Sequence, residues 1–76
     1  MNELGIRIFK NNVKLGDEIS VATVLKDYDG ENISYHGKIL ELRDEDFLLQ
    51  EPQFKNIPTI IDYKDVYWHS AETVEL

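Results

Sequence analysis

Apolar and polar residues alternate along most of the chain, and this period of two predicts β-strands. The pattern is clearest in residues 19–25, which are rich in β-branched side chains. A polar loop of turn-forming residues, 27–32, follows this segment. Over the whole chain the pattern predicts strands at residues 19–25, 33–43, 47–50, 59–61 and 66–69.

The two ends of the chain have less regular patterns. Leu4, Ile6 and Ile8 alternate as in a strand, whereas Leu4, Ile8 and Phe9 would share one face of a helix. Both structures are therefore left open for this segment. Residues 10–12 predict a turn, because Asn tolerates positive φ. Residues 71–76 predict a tail or an added edge strand.

The segment 37–51 predicts a hairpin at the centre of the chain. Two apolar stretches flank the acidic turn 44–46. Within the first stretch the apolar phase changes between Ile39 and Leu40, close to Gly37. A phase change beside a glycine is typical of a bulge or a sharp bend. We therefore expect this strand to pass from one half of a barrel to the other.

Five or six short strands with closely spaced turns and no long helix predict an all-β fold, a small barrel. The 76 residues suffice for one domain, residues 1–76. A domain of this size buries only about 60% of the surface that its unfolded chain exposes. The chain has no cysteine. Its stability must therefore come from the apolar core, supplemented by self-association.

Three segments resemble parts of SH3-like and Sm-like barrels. Residues 15–21 resemble the approach to the first strand of SH3-like domains. Residues 37–49 are similar to the glycine-bent strand and following hairpin of Sm-like proteins, and residues 62–66 to the short 3₁₀ turn before the last strand of both groups. The resemblance covers residues 15–70. It implies a barrel of five to six strands with a 3₁₀ turn before the last one.

The resemblance does not extend to RNA binding. Sm-like proteins bind RNA through an Asn-containing loop after the third strand and a Gly-rich or basic element near the last. Residues 51–55 and 63–65 stand at those places here, and neither matches. The resemblance therefore implies a fold, and such a fold serves many functions.

The net charge of −7 is concentrated in the middle third of the chain, where residues 27–51 carry eight acidic and two basic side chains. An acidic field repels phosphate backbones and attracts basic surfaces. A basic protein is therefore a more suitable partner than a nucleic acid. Asp44, Glu45 and Asp46 are either a recognition patch for such a partner or a hairpin turn kept soluble by its charge.

Aromatic residues give a second candidate surface near the end of the chain. Consecutive strand residues face opposite ways, so one of Tyr67 and Trp68 should point inward. An outward aromatic residue suits a partner-binding site. The alternative is that Val66 and Trp68 fill the barrel while Tyr67 covers an edge. The predicted partner-binding residues are Asp44, Glu45, Asp46, Tyr63 and Tyr67.

The sequence contains no motif for catalysis, metal or cofactor binding. Counted as a calcium loop from Asp27, the chain lacks the Gly at position six and the Glu at position twelve. His36 and His69 lack the spacing of zinc ligands. A barrel this small also fills its own interior. We therefore predict a protein that is not an enzyme and has no cofactor.

Location and function follow from these patterns as expectations. No apolar run approaches the roughly 18 residues of a membrane span, and the first seven residues lack the character of a secretory signal. The chain is therefore predicted to be cytoplasmic, without membrane contact. The leading hypothesis is a non-catalytic module that self-associates or docks on a protein partner through a strand edge and exposed aromatics.

Two further hypotheses remain open. The first is an acidic decoy of the phage or mobile-element type, whose carboxylates imitate nucleic-acid phosphates and occupy a basic groove. The second is Sm-like RNA binding through a local basic face made of Arg7, Lys10, Lys14 and Lys26.

Overall fold

A computed structural model describes residues 1–72 as one helix and five strands. A 3₁₀ turn, Tyr63–Asp65, joins the last two strands, as the sequence predicted. All five predicted strands are present. The helix is α1 (Glu3–Asn12), and the strands are β1 (Glu18–Lys26), β2 (Asn32–Leu42), β3 (Asp46–Gln50), β4 (Thr59–Asp62) and β5 (Val66–Glu72).

The strands form a single antiparallel sheet in the order β4-β3-β2-β1-β5. β4 and β5 are its edge strands, and within residues 1–72 they do not pair with each other. The fold is therefore an open all-β sheet with one helix, and the predicted barrel is not closed by backbone pairing in this part of the chain. Residues 71 and 72 extend β5, and the rest of the predicted tail lies outside the described residues.

The first segment, which the pattern left open, is helical. Asn2 caps α1, because its side-chain oxygen accepts a hydrogen bond from the backbone N–H of Gly5 at 2.8 Å. Phe9 and Val13, four residues apart on the same side, are both buried. The turn predicted at residues 10–12 is wrong, because these residues form the last turn of α1. No helix in residues 1–72 has the length and apolarity needed to cross a membrane.

The core lies between α1 and one face of the sheet. Three aromatic rings form its centre: Phe9 of α1, Phe47 of β3 and Tyr63 of the 3₁₀ turn. Their centroids are 5.0 Å apart for Phe9 and Phe47, 5.3 Å for Phe47 and Tyr63, and 5.8 Å for Phe9 and Tyr63. Aliphatic side chains from every strand surround them, namely Ile19, Val21, Ile39, Leu49, Ile61 and Val66.

β2 contains the predicted irregularity. Ile39 pairs with Leu49 and Glu41 with Leu48, so Leu40 is an extra residue, a β-bulge. Gly37, three residues before the bulge, is buried against the end of β3. A Cβ atom at this position would lie 2.5 Å from the carbonyl oxygen of Gln50. The glycine is therefore required by the close approach of two backbones.

Replacing Gly37 by alanine tests this close approach. We expect Gly37→Ala to destabilise the fold by about 1–3 kcal/mol, because the added methyl group meets backbone atoms that have no space to move. Urea unfolding followed by tryptophan fluorescence measures the change. Ser34→Ala, at an exposed position of the same strand, is the matched control and should be nearly neutral. An unchanged midpoint for Gly37→Ala would contradict the packing described here.

Candidate partner-binding surfaces

Tyr67 and Trp68, consecutive residues of β5, are both exposed, by 58% and 52% respectively. The prediction that one of them points inward is wrong. Ala22 pairs with Trp68 and Thr23 with Val66, so Tyr67 is an extra residue that breaks the alternation of the strand. Val66, before the bulge, fills the core instead.

The aromatic pair extends from β5 over the neighbouring strands. Ala22 alternates with the core residues of β1, so it and the paired Trp68 lie on the outer face of the sheet, away from the core. Ala22 pairs on its other side with Ser34, so the indole lies beside small side chains. The hydroxyl of Tyr67 accepts a hydrogen bond from the side-chain amide of Asn32 at 3.3 Å.

A groove of about 440 Å³ separates α1 from β5. The amino group of Met1 holds its two walls together, because it donates hydrogen bonds to the carbonyl oxygens of Lys64 and Val66 at 3.2 and 3.0 Å. Tyr67 therefore borders a concave surface as well as a strand edge. The lining residues are Met1, Gly5, Ile8, Val66, Tyr67 and His69.

The opposite edge of the sheet also exposes apolar side chains. Ile60 of β4 is 59% exposed. It pairs with Leu48 of β3, which is half-buried. Phe54 and Ile57, in the loop that leads into β4, are also exposed. The two edges therefore differ in chemistry, since the β4 edge presents an aliphatic side chain and the β5 edge presents aromatic ones.

The acidic turn 44–46 is attached to the 3₁₀ turn. The backbone N–H of Tyr63 donates to the carbonyl oxygen of Glu45 at 3.1 Å, and its hydroxyl donates to the carbonyl oxygen of Arg43 at 2.8 Å. Asp46 is partly buried, and its carboxylate accepts a 2.5 Å hydrogen bond from the guanidinium of Arg43. Of the three predicted acidic residues, Asp44 and Glu45 are the exposed ones.

Basic side chains surround the exposed part of this turn. Lys64 lines one groove with Asp44 and Glu45. Arg7 and Lys10 of α1 line a second groove with Asp44. The same grooves are also lined by Asp62 and Glu3, so acidic and basic side chains are mixed around the turn.

Tyr63 does not belong to the partner-binding set, which corrects the sequence prediction. Its side chain is fully buried, stacked on Phe47, with the ammonium of Lys10 5.1 Å from its ring centroid. Burial of the phenol, together with the nearby carboxylates of Asp46 and Asp44, raises the pKa of Tyr63 to about 12. The aromatic ring thus belongs to the core.

The remaining predicted residues do not converge on one site. Tyr67 borders the groove on one side of α1, and the acidic turn borders grooves on another. The proposed basic face is also divided: Arg7 and Lys10 lie beside the acidic turn, whereas the ammonium of Lys26 is hydrogen-bonded to Asn32.

Comparisons with known proteins assign no family to the chain: no family model, no curated protein and no solved structure matches it.

The buried phenol of Tyr63 gives the fold a pH dependence. Its pKa in the folded chain lies above the ordinary value of about 10. Folding thus favours the neutral phenol, and this contribution is complete below pH 10 and is lost as the pH rises from 10 to 12. Tyr63→Phe removes the hydrogen bond to the carbonyl oxygen of Arg43, so we expect it to lower the free energy of unfolding by about 1 kcal/mol at neutral pH. Because it also removes the phenol, the variant should lose less stability at alkaline pH than the wild type.

Urea unfolding at neutral and alkaline pH measures both effects. Tyr28→Phe is the matched control, because Tyr28 is fully exposed and its substitution should change neither stability nor the alkaline profile. Identical profiles for the wild type and Tyr63→Phe would contradict the role given to this phenol.

Proposed function

We propose that this chain is a small, non-catalytic protein-interaction module that associates with itself through the edges of its sheet. The proposal includes an SH3-like or Sm-like course of the strands, in which the bend of β2 at Gly37 and Leu40 curves the sheet. One observation carries it: both edge strands lack a partner within residues 1–72, and both expose large apolar side chains.

An unpaired strand edge offers a row of backbone N–H and C=O groups to another strand. Addition of a strand to such an edge is a common mode of protein recognition, in which the backbone supplies affinity and the side chains supply specificity. Soluble proteins often protect their edges with charged residues. Here the edge strands contain the charged residues Asp62 and Glu72, but they also expose Ile60 and Tyr67.

A second copy of the chain is the partner that this arrangement suits. The aliphatic β4 edge and the aromatic β5 edge are different surfaces, so a joint of β4 with the next copy's β5 is heterologous and continues the sheet. Such a joint would bring Ile60 beside β5, the strand that carries Tyr67 and Trp68, and so remove exposed apolar area from water. Association also adds stability to a domain whose own core is small.

The alternatives have less support. Asp44 and Glu45 remain exposed, as an acidic decoy requires, but Arg43 neutralises Asp46 and three further basic side chains lie nearby. For RNA binding, none of the described grooves contains all four proposed bases: Arg7 and Lys10 line one together, without Lys14 or Lys26. The net charge of −7 also opposes a phosphate backbone.

Two edge variants test self-association. Ile60→Lys places a charge on the β4 edge, and Tyr67→Ser with Trp68→Ser removes the aromatic pair from the β5 edge. We expect the wild type to form dimers or larger assemblies in sedimentation velocity, and each variant to associate about tenfold more weakly or worse. A wild type that stays monomeric at the highest attainable concentration would overturn the proposal.

Mixing the two variants tests the geometry of the joint. Each variant keeps one intact edge, so an equimolar mixture should form a dimer and nothing larger. If copies instead joined through two identical β5 edges, Ile60→Lys alone would still dimerise.

Two controls accompany these variants. Tyr28→Ser, which removes a fully exposed tyrosine from the loop between β1 and β2, is the control for Tyr67→Ser. Asp44→Lys with Glu45→Lys should leave association unchanged, and its loss would favour the acidic turn as the interface.

A further inference from the structure

A further groove, of about 450 Å³, lies on the outer face of the sheet, where β1, β2 and β3 run side by side. Its floor contains the cross-strand row Glu18, Lys38 and Gln50. Its wall is the loop that follows β3. The side-chain amide of Gln50 donates to the carbonyl oxygen of Phe54 at 2.7 Å, and this bond holds the loop in place.

Glu51 lines this groove and is only 6% exposed. Among residues 1–70, it is the one carboxylate that is buried. One of its oxygens, Oε2, accepts a hydrogen bond from the hydroxyl of Thr59 at 2.7 Å. A buried carboxylate needs several donors or a cation to offset its lost hydration. No fully buried side-chain oxygen of the described residues lacks a hydrogen-bond partner, so the acceptor capacity that Thr59 does not use is within reach of water or a ligand.

Two exposed lysines, Lys38 and Lys55, line the same groove. Among the side chains of residues 1–70 the ion pair shorter than 4.0 Å is that of Arg43 with Asp46, so neither lysine is paired at that distance with a carboxylate of these residues. The Nδ1 atom of His36, another lining residue, is 2.7 Å from the hydroxyl of Ser20. The groove thus combines two carboxylates, the buried Glu51 and the partly exposed Glu18, with two exposed lysines.

We propose that this groove binds a small zwitterion of the amino-acid class. The ligand's ammonium group lies against Glu51, and its carboxylate lies between Lys38 and Lys55. A ligand of one charge would leave the opposite set of side chains unpaired, whereas a zwitterion satisfies both. The volume falls within the range of about 300–1,000 Å³ typical of small-molecule sites. This site is separate from the sheet edges and does not depend on self-association.

Titration of the ¹⁵N-labelled full chain with the common L-amino acids, one at a time, tests the site. We expect at least one to shift the backbone amide signals of Gly37, Lys38 and Lys55 in a saturable way. For that amino acid, the analogues that lack the carboxylate or the amine should bind about tenfold more weakly or worse. No saturable shift with any amino acid, or equal binding of a singly charged analogue, would overturn the proposal.

Variants of the full chain assign the charges. Lys38→Gln and Lys55→Gln, at exposed positions, should each weaken binding about tenfold. Lys64→Gln, an exposed lysine that does not line this groove, is the matched control. Glu51→Gln keeps the volume and an acceptor for Thr59, and should abolish binding. If it fails to fold, the lysine variants still decide. Ile60→Lys should bind normally, which separates this site from the edge proposal.

Discussion

The packing of three aromatic rings, Phe9, Phe47 and Tyr63, determines how the rest of the chain is arranged. These rings come from the helix, from β3 and from the 3₁₀ turn, and they meet at centroid distances of 5.0 to 5.8 Å. Because they hold α1 against one face of the sheet, that face is buried and the other remains open to solvent. The hydroxyl of Tyr63 also connects this core to the turn before β3. The same contact that completes the core therefore positions the acidic turn.

Two β-bulges, in β2 and β5, determine which apolar side chains lie outside the core. The bulge at Leu40 lies near the close backbone approach at Gly37, and the bulge at Tyr67 exposes two consecutive aromatic residues. Both place apolar side chains outside the core, and together with Ile60 they leave apolar groups on both halves of the sheet. In a chain of this size such exposure reduces stability unless a partner covers it. The proposed self-association through the sheet edges would cover these side chains.

Much of the fold was predictable from the sequence, because period-two alternation and turn residues are local signals. All five strands and the bend near Gly37 follow from them, whereas the 3₁₀ form of the turn before β5 was implied by the resemblance to SH3-like and Sm-like barrels. The helix was left open, because Leu4, Ile6 and Ile8 fit a strand while Leu4, Ile8 and Phe9 fit a helix. The capping role of Asn2 depends on the geometry of the first turn. The candidate surface was harder to predict. Tyr63 and Tyr67 are the same residue type four positions apart, yet a bulge and a core contact give them opposite environments. The burial of Glu51 depends on Thr59, eight residues away, and has no local signal.

Amide hydrogen exchange measured over a range of protein concentrations tests whether copies of this chain meet at the open edges of the sheet, because pairing protects edge amides that are otherwise exposed to water. We expect protection of the amides in β4 and β5 to rise with concentration, while that of the amides in the central strand β2 stays constant. Protection in β4 and β5 that is independent of concentration would contradict the proposed self-association.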